Sequence, residues 1–355
     1  MNRSALTVER ALWWGPGLAL VLILVFAPLL FTDFYLSQVI TKALWLGIAA
    51  ASLIFLAAYV GMVSLGQVAL YGVAGFAMAN LVEADGGSTI AWNPWVGTLV
   101  GILVAVGVGL FFGAIASRSY GIYFLMITLA VAVLTYYFFA QVTELSGFGG
   151  VNNVTRPGIV SNPVTDPQNL FYIALGVSAA VYVFVRYLAR TPFGLALQGV
   201  RDDPSRMRAL GYNVPLLRAL AFGLGALIAS FAGILSVWWN TRISPGSIDL
   251  SRTIDVLVIA VIGGLYRLEG AWIGALVFVA LDNWTRGLDI VGQRFNTVIG
   301  AVFLAIVLLS PGGLMGIWQS ITDYIGRQLS GKPPARPSAG PADEAQTASN
   351  SPQPS

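Results

Sequence analysis

Ten apolar runs divide the chain, at 11–31, 39–60, 66–83, 95–117, 121–141, 170–188, 219–239, 254–266, 271–284 and 296–317. A helix needs about 20 apolar residues to cross a bilayer, and only helices and closed barrels satisfy their own backbone polar groups there. The pattern therefore predicts an all-α polytopic membrane protein with about ten transmembrane or half-spanning helices. The eighth and ninth runs are short. They fit a pair of half-helices meeting inside the protein, which leaves the parity of the threading unchanged. The first run follows Arg3 and Arg10; it is longer than the apolar core of a signal peptide and has no small-x-small cleavage pattern behind it, so an uncleaved first span is expected.

One polar interval stands apart, RYLARTPFGLALQGVRDDPSRMRALGYNVPLLR from Arg186 to Arg218, with six arginines against Asp202 and Asp203. Basic residues accumulate on the cytosolic side of membrane spans, so this interval is expected there. Thr191-Pro192 reads as a cap followed by proline at the first helical position, starting a helix that runs toward Val200. Asp203-Pro204 repeats the signal, and Gly211 closes the second short helix in the left-handed conformation. Two short helices outside the bilayer, joined at Arg201-Asp202-Asp203, are more order than a topogenic charge signal requires. They predict a docking surface, although the positive-inside bias by itself accounts for the charges.

With the amino end in the cytosol, the turn 61–65, Ser117–Tyr120, the arginine interval, Tyr266–Gly270 and the tail all fall inside. That places 13 of the 19 basic residues on the cytosolic side, including Arg118, Arg267 and Arg327. The inverse threading loses this bias. Outside fall Ala84–Pro94, with Trp92 and Trp95 at an interface, and the Gly, Asn and Pro-rich connection Val142–Asn169, of the kind that covers or docks something.

Composition narrows the chemistry. The 355 residues are 57% apolar and 10% charged with 40 glycines, a balance suited to close helix packing in lipid. There is no cysteine or histidine, which removes disulfides, thiol nucleophiles, imidazole bases and the usual zinc ligands. No metal site and no enzyme activity are expected. Residues 326–355 are Pro, Ser, Ala and Gln-rich and read as a disordered cytosolic tail. Gly326-Arg-Gln-Leu-Ser-Gly331-Lys332 approaches a phosphate-binding loop, but Pro333 stands where Ser or Thr should hold magnesium. Energy from ATP must then come through another subunit.

Within the apolar runs, Ser64, Gln67 and Tyr71 recur at helical spacing and are costly in lipid, so they should face the interior. Two readings stand: hydroxyl and amide groups presented to a substrate's carboxylate or ammonium, or a tight cytosolic turn whose polar groups cap two helices. Asp255 and Asp282 near the outer ends of the short runs fit a proton or cation path, but Arg252 and Arg286 beside them favour surface ion pairs. Gly263-Gly264 and Pro311-Gly312-Gly313 fit hinges or close packing equally.

The run Thr191-Pro-Phe-Gly-Leu-Ala-Leu-Gln-Gly-Val-Arg-Asp-Asp203, followed by Arg208-Ala-Leu-Gly211-Tyr-Asn-Val214, resembles the cytosolic coupling segment of permeases from branched-chain amino-acid ABC importers. So do Ser64-Leu-Gly-Gln67, Ile243-Ser-Pro-Gly246, Val261-Ile-Gly-Gly264 and Ser310-Pro-Gly-Gly-Leu314, spread over nearly all the membrane part. The resemblance implies a permease domain over 1–325, with a coupling segment over 189–217 in which Gly194, Arg201, Asp202, Asp203, Ala209 and Gly211 occupy the ATPase-facing motif. It implies a second related permease, two ATP-binding subunits and an extracytoplasmic substrate-binding protein as partners, with no cofactor of its own. Leu195 and Gln198 depart from the family by replacing basic residues, Met207 by replacing a small one, and Tyr266-Arg-Leu-Glu-Gly270 by replacing a more Gly and Ser-rich turn. The expectation is a bacterial inner-membrane importer subunit with both termini cytosolic and branched-chain or other hydrophobic amino acids as cargo. Urea or short amides are competing cargo, and an ion-coupled transporter using Asp255 and Asp282, or a non-transporting scaffold, comes from a different class.

Overall fold

The computed structural model describes residues 32–86, 90–146, 149–160 and 166–286, with isolated positions and the turn 312–316 beyond them. All lie within one compact unit, Leu18–Ile317. The first and tenth apolar runs, apart from those isolated positions, the near phosphate loop and the tail 326–355 lie outside the described residues.

The described residues form helices without a sheet; beside one helical turn at Thr143–Ser146 and a 3-10 turn at Pro245–Ile248 there are ten. They are α1 (Asp33–Val60, with π-type turns at both ends), α2 (Gln67–Leu81), α3 (Pro94–Ala116), α4 (Ile122–Gln141), α5 (Pro167–Leu188), α6 (Pro192–Asp202), α7 (Pro204–Ala209), α8 (Val214–Asn240), α9 (Leu250–Gly263) and α10 (Gly270–Arg286). Each of the second to ninth apolar runs coincides with one of these helices. Five of them, α1, α3, α4, α5 and α8, are long and apolar enough to cross a membrane. Local chemistry sets several starts: the side chains of Asn93, Asn213 and Asp249 accept from the backbone N–H groups of Trp95, Leu216 and Arg252.

Burial separates centre from periphery. The apolar window of α1 is 94% buried and that of α8 78%, against 28% for α3 and 33% for α4 and α5. A helix apolar all round and buried all round belongs to the core; one apolar all round but buried on a single stripe faces lipid or another subunit. The buried stripe of α3 is Gly97, Gly101, Ala105, Gly109, Gly113 and Ala116, small residues repeating every three or four positions. A Cβ at Gly101 would stand 2.8 Å from the Ala74 carbonyl oxygen, and one at Gly109 2.4 Å from Ala226 Cβ, so α3 lies almost backbone to backbone on α2 and α8.

The chain reversals gather into two groups. At one end the loops pair by short backbone bridges, Asp85 with Asn152 and Val151 with Ile243. At the other, Arg218 donates to the Ser119 carbonyl (3.1 Å), Arg201 to the Ala58 carbonyl (2.5 Å), and Arg186 pairs with Glu269 (3.4 Å). These are the same two sets of loops that alternate threading predicts.

Three of the helices that coincide with apolar runs are short. At about 1.5 Å per residue, the 15 residues of α2 cover only about 22 Å, less than the ~30 Å apolar core of a bilayer. An extended stretch, 61–66, makes up the difference, entered through Gly61 at φ +73°. The other two, α9 and α10, form a close hairpin: a Cβ on Gly263 would stand 1.8 Å from the Gly270 carbonyl oxygen, and one on Gly274 2.1 Å from that of Ile259. The glycine pairs that fitted hinges or packing meet each other, since a Cβ on Gly264 would stand 2.7 Å from the Gly312 oxygen.

Candidate functional site

Two places concentrate polar chemistry, one at each end of the bundle. The first is the pair α6 and α7. Thr191 Oγ1 accepts from Gly194 N (3.2 Å), and Asp203 Oδ1 accepts from the N–H groups of Ser205 and Arg206 (both 3.0 Å), so both predicted caps form. Those amides, with the Ser205 hydroxyl, hold the Asp203 carboxyl below the usual carboxylate range. Gly211 takes φ +89° and ends the second helix.

Helix α6 buries Gly194, Ala196, Leu197 and Val200 against the bundle. Gly194 is there for close approach: a Cβ would stand 2.0 Å from the Leu188 carbonyl oxygen, where α5 ends. Of the six residues assigned to coupling from sequence, Asp202, Asp203, Ala209 and Gly211 are exposed, and Gly194 is buried beneath them. Arg201 is also exposed, yet it spans both worlds, with Nε on Asp202 (2.9 Å) and a guanidinium nitrogen on the Ala58 carbonyl at the end of α1. Around these charges lie Leu195, Leu210, Tyr212 and Leu216, all more than a third exposed. Exposed apolar side chains interspersed with arginines and aspartates form a surface suited to another protein.

Sequence reasoning missed Tyr120. Its ring lies 3.9 Å beneath the Arg218 guanidinium, and its hydroxyl accepts from Arg208 of α7, so the short α3–α4 turn is clasped to α7 and the start of α8. An aromatic in a four-residue turn with Arg118 was the available signal. Tyr120→Phe keeps the ring and Tyr120→Ala removes it; thermal unfolding in detergent is expected to rank wild type above Phe above Ala, with about 1 kcal/mol between the two variants, the size of a cation–π contact at a partly exposed ring.

The second place is a chamber of about 340 Å³ among α1, α2, α8 and the start of α9, at the bundle end opposite α6 and α7. Tyr71 lines it, donating to Ser236 Oγ (2.5 Å) and stacking on Trp45 at 6.2 Å between ring centres. Asn240 also donates to Ser236 Oγ, at 3.3 Å. Arg242, Arg252 and Asp255 supply charge, the last two paired at 3.5 Å. Gln67 and Tyr71 stand one turn apart on α2, whereas Ser64 lies before the helix and accepts from Gly66 N at 3.2 Å. Gln67 is buried, and neither polar atom of its amide has a partner among the described residues. For Asp255 the expected ion pair forms; for Asp282 the surface reading is corrected, since its carboxylate is buried and pairs with Lys42 of α1 at 2.8 Å. That contact links residues 240 positions apart, beyond the reach of local pattern.

Comparison with known proteins places these features in company. The family described as Branched-chain amino acid transport system / permease component matches residues 35–307. The chain is 22% identical over 279 residues to the high-affinity branched-chain amino acid transport system permease protein LivM of Salmonella typhimurium, covering 72% of this chain and 64% of that relative. The matched stretch thus spans less than two thirds of that protein's length. It is 26% identical over 251 residues to the probable branched-chain amino acid transport permease protein LivM of Methanocaldococcus jannaschii, covering 64% and 71%. To the permease protein LivH of Salmonella typhimurium it is 27% identical over 158 residues, covering 44% and 49%. No solved structure matches the chain.

Proposed function

The chain belongs to the family of branched-chain amino acid transport system permease components, a family of multi-pass membrane proteins, and on that premise we propose that it is one permease subunit of an ATP-driven importer for branched-chain or other hydrophobic amino acids. It works beside a second, related permease, and two separate ATP-binding subunits hydrolyse the nucleotide. An extracytoplasmic binding protein delivers cargo to the chamber end. The subunit sits in a bacterial inner membrane with α6, α7 and both termini in the cytosol.

The observation that carries this reading is the docking face of α6 and α7. Its buried side is anchored to α1 and α5, and its outer side mixes exposed apolar side chains with charged ones. Movement of a partner pressing on Leu195 and Leu210 reaches the bundle through Arg201 at the end of α1 and through Arg208 at Tyr120. Two groups of helices then rock about the chamber, opening it to alternate sides. The lipid-facing or partner-facing sides of α3 and α4, which expose Leu103, Phe111, Tyr123 and Met126, suit apolar surroundings on all flanks.

The test is Leu195→Glu with Leu210→Glu in the assembled transporter. Both side chains are exposed, at 60% and 66%, so the bundle is expected to keep its thermal stability. Copurification of the ATP-binding subunits and uptake are expected to fall at least tenfold. Because the chain has no native cysteine, a single thiol introduced at Ala209 is expected to react with an impermeant reagent only in inside-out vesicles. Unchanged copurification and uptake, or labelling from the outside, would overturn the proposal.

A further inference from the structure

We propose that the chamber is a zwitterion-reading site, which binds the α-carboxylate and the α-ammonium of one free amino acid, so that this subunit selects cargo itself. The inference rests on the importer reading above and specifies what the path through the subunit recognises.

Charge is the first ground. Arg242 has no ion-pair partner among the described residues, and Arg252 meets Asp255 only at 3.5 Å, longer than the roughly 2.7–2.9 Å of a charge-assisted hydrogen bond. The chamber therefore holds one guanidinium in surplus and one carboxylate that is incompletely engaged. Arg242 and Arg252 are both exposed, so an incoming carboxylate can reach either guanidinium and be gripped through two parallel N–H groups. Asp255 offers the complementary acceptor for an ammonium. A dicarboxylate would be repelled by Asp255, and a neutral amide would offer Arg242 no charge-assisted bond.

The neutral donors agree. A hydroxyl has two acceptor positions and one proton, and Ser236 Oγ already accepts from both Tyr71 and Asn240. Its own proton has no acceptor among the described residues, which leaves it for a ligand oxygen. Trp45, also in the wall, has a buried indole N–H without a partner among the described residues. Between these groups and the bundle interior the lining turns apolar at Ala49 and Val68, a place for an aliphatic side chain. The volume of about 340 Å³ is at the lower end of small-molecule pockets, about 300–1,000 Å³, enough for one such molecule.

The experiment uses the copurified transporter in nanodiscs without binding protein, with radiolabelled leucine as probe. Binding is expected to be competed by unlabelled leucine and at least tenfold more weakly by N-acetyl-leucine, which lacks the ammonium. Isoamylamine, lacking the carboxylate, and urea or acetamide are expected to compete as poorly. Arg242→Gln and Asp255→Asn are each expected to weaken binding at least tenfold, with Arg242→Lys recovering part of it and thermal stability unchanged. No leucine binding up to millimolar concentration, equal competition by the one-charge analogues, or indifference to both substitutions would overturn the proposal. Failure of the docking reading is read separately: it appears as intact uptake in the Leu195→Glu, Leu210→Glu variant, whereas failure here leaves that variant uncoupled.

Discussion

Replacing Gly233 with leucine is expected to prevent α8 from packing on α2 and to abolish recovery of stable, monodisperse protein. A Cβ at Gly233 would stand 2.1 Å from the Tyr71 carbonyl oxygen and 3.0 Å from its carbonyl carbon. Both are backbone atoms, so no rotamer change can make room. The two helices would have to separate, and with them would go the Tyr71–Ser236 hydrogen bond that closes the chamber wall. Overpacking a fitted core costs about 1–3 kcal/mol and more when backbone must shift, so even Gly233→Ala is expected to lose about 3 kcal/mol in reversible unfolding. Gly107→Ala on α3 is the matched control, because nothing lies within 4 Å of the added carbon. A Gly233→Leu protein melting like wild type would show that α2 and α8 are not in backbone contact.

The second large effect is expected at Lys42 and Asp282, whose side chains are 18% and 7% exposed and meet at 2.8 Å. Two charges out of water are costly, and their attraction offsets that cost only while both remain. Lys42→Met takes the ammonium from a buried carboxylate and is expected to destabilise by about 3 kcal/mol, the low end for broken buried pairs. Lys42→Met with Asp282→Leu removes both charges and is expected to recover most of that loss. The contrast between single and double variant in thermal unfolding is the measurement. Equal destabilisation in the two would mean that the pair contributes no coupling between α1 and α10.

What the sequence made legible follows the range of each interaction. Thr191, Asp203 and Gly211 act on amides within three residues or on their own backbone angle, so the ends of α6 and α7 could be read from Thr-Pro, Asp-Pro and Gly. The apolar runs marked eight described helices for the same reason. Which side of each helix meets protein was not legible, because lipid and protein interior are both apolar and the pattern does not change between them. The α3 stripe of glycine and alanine is a partial exception, since small residues at a four-residue spacing serve close contact and nothing else in lipid. Tyr71 was singled out as polar and costly, but its partner Ser236 lies 165 positions away, and the chamber exists only when four helices meet. The same holds for Gly264 against Gly312, and for Tyr120, whose role depends on arginines from two other elements.

The short second helix and the extended stretch before it have a mechanical corollary. Arg201 holds the carbonyl of Ala58, Gly61 bends the chain, and by Val68 the same backbone has become the floor of the chamber. Only the short non-helical stretch 61–66 separates the turn that Arg201 holds from the helix that lines the chamber. Chamber wall and Arg201 anchor are thus a few residues of continuous chain apart, and under the proposed function a displacement at Ala58 is expected to be felt at Val68 through the backbone itself.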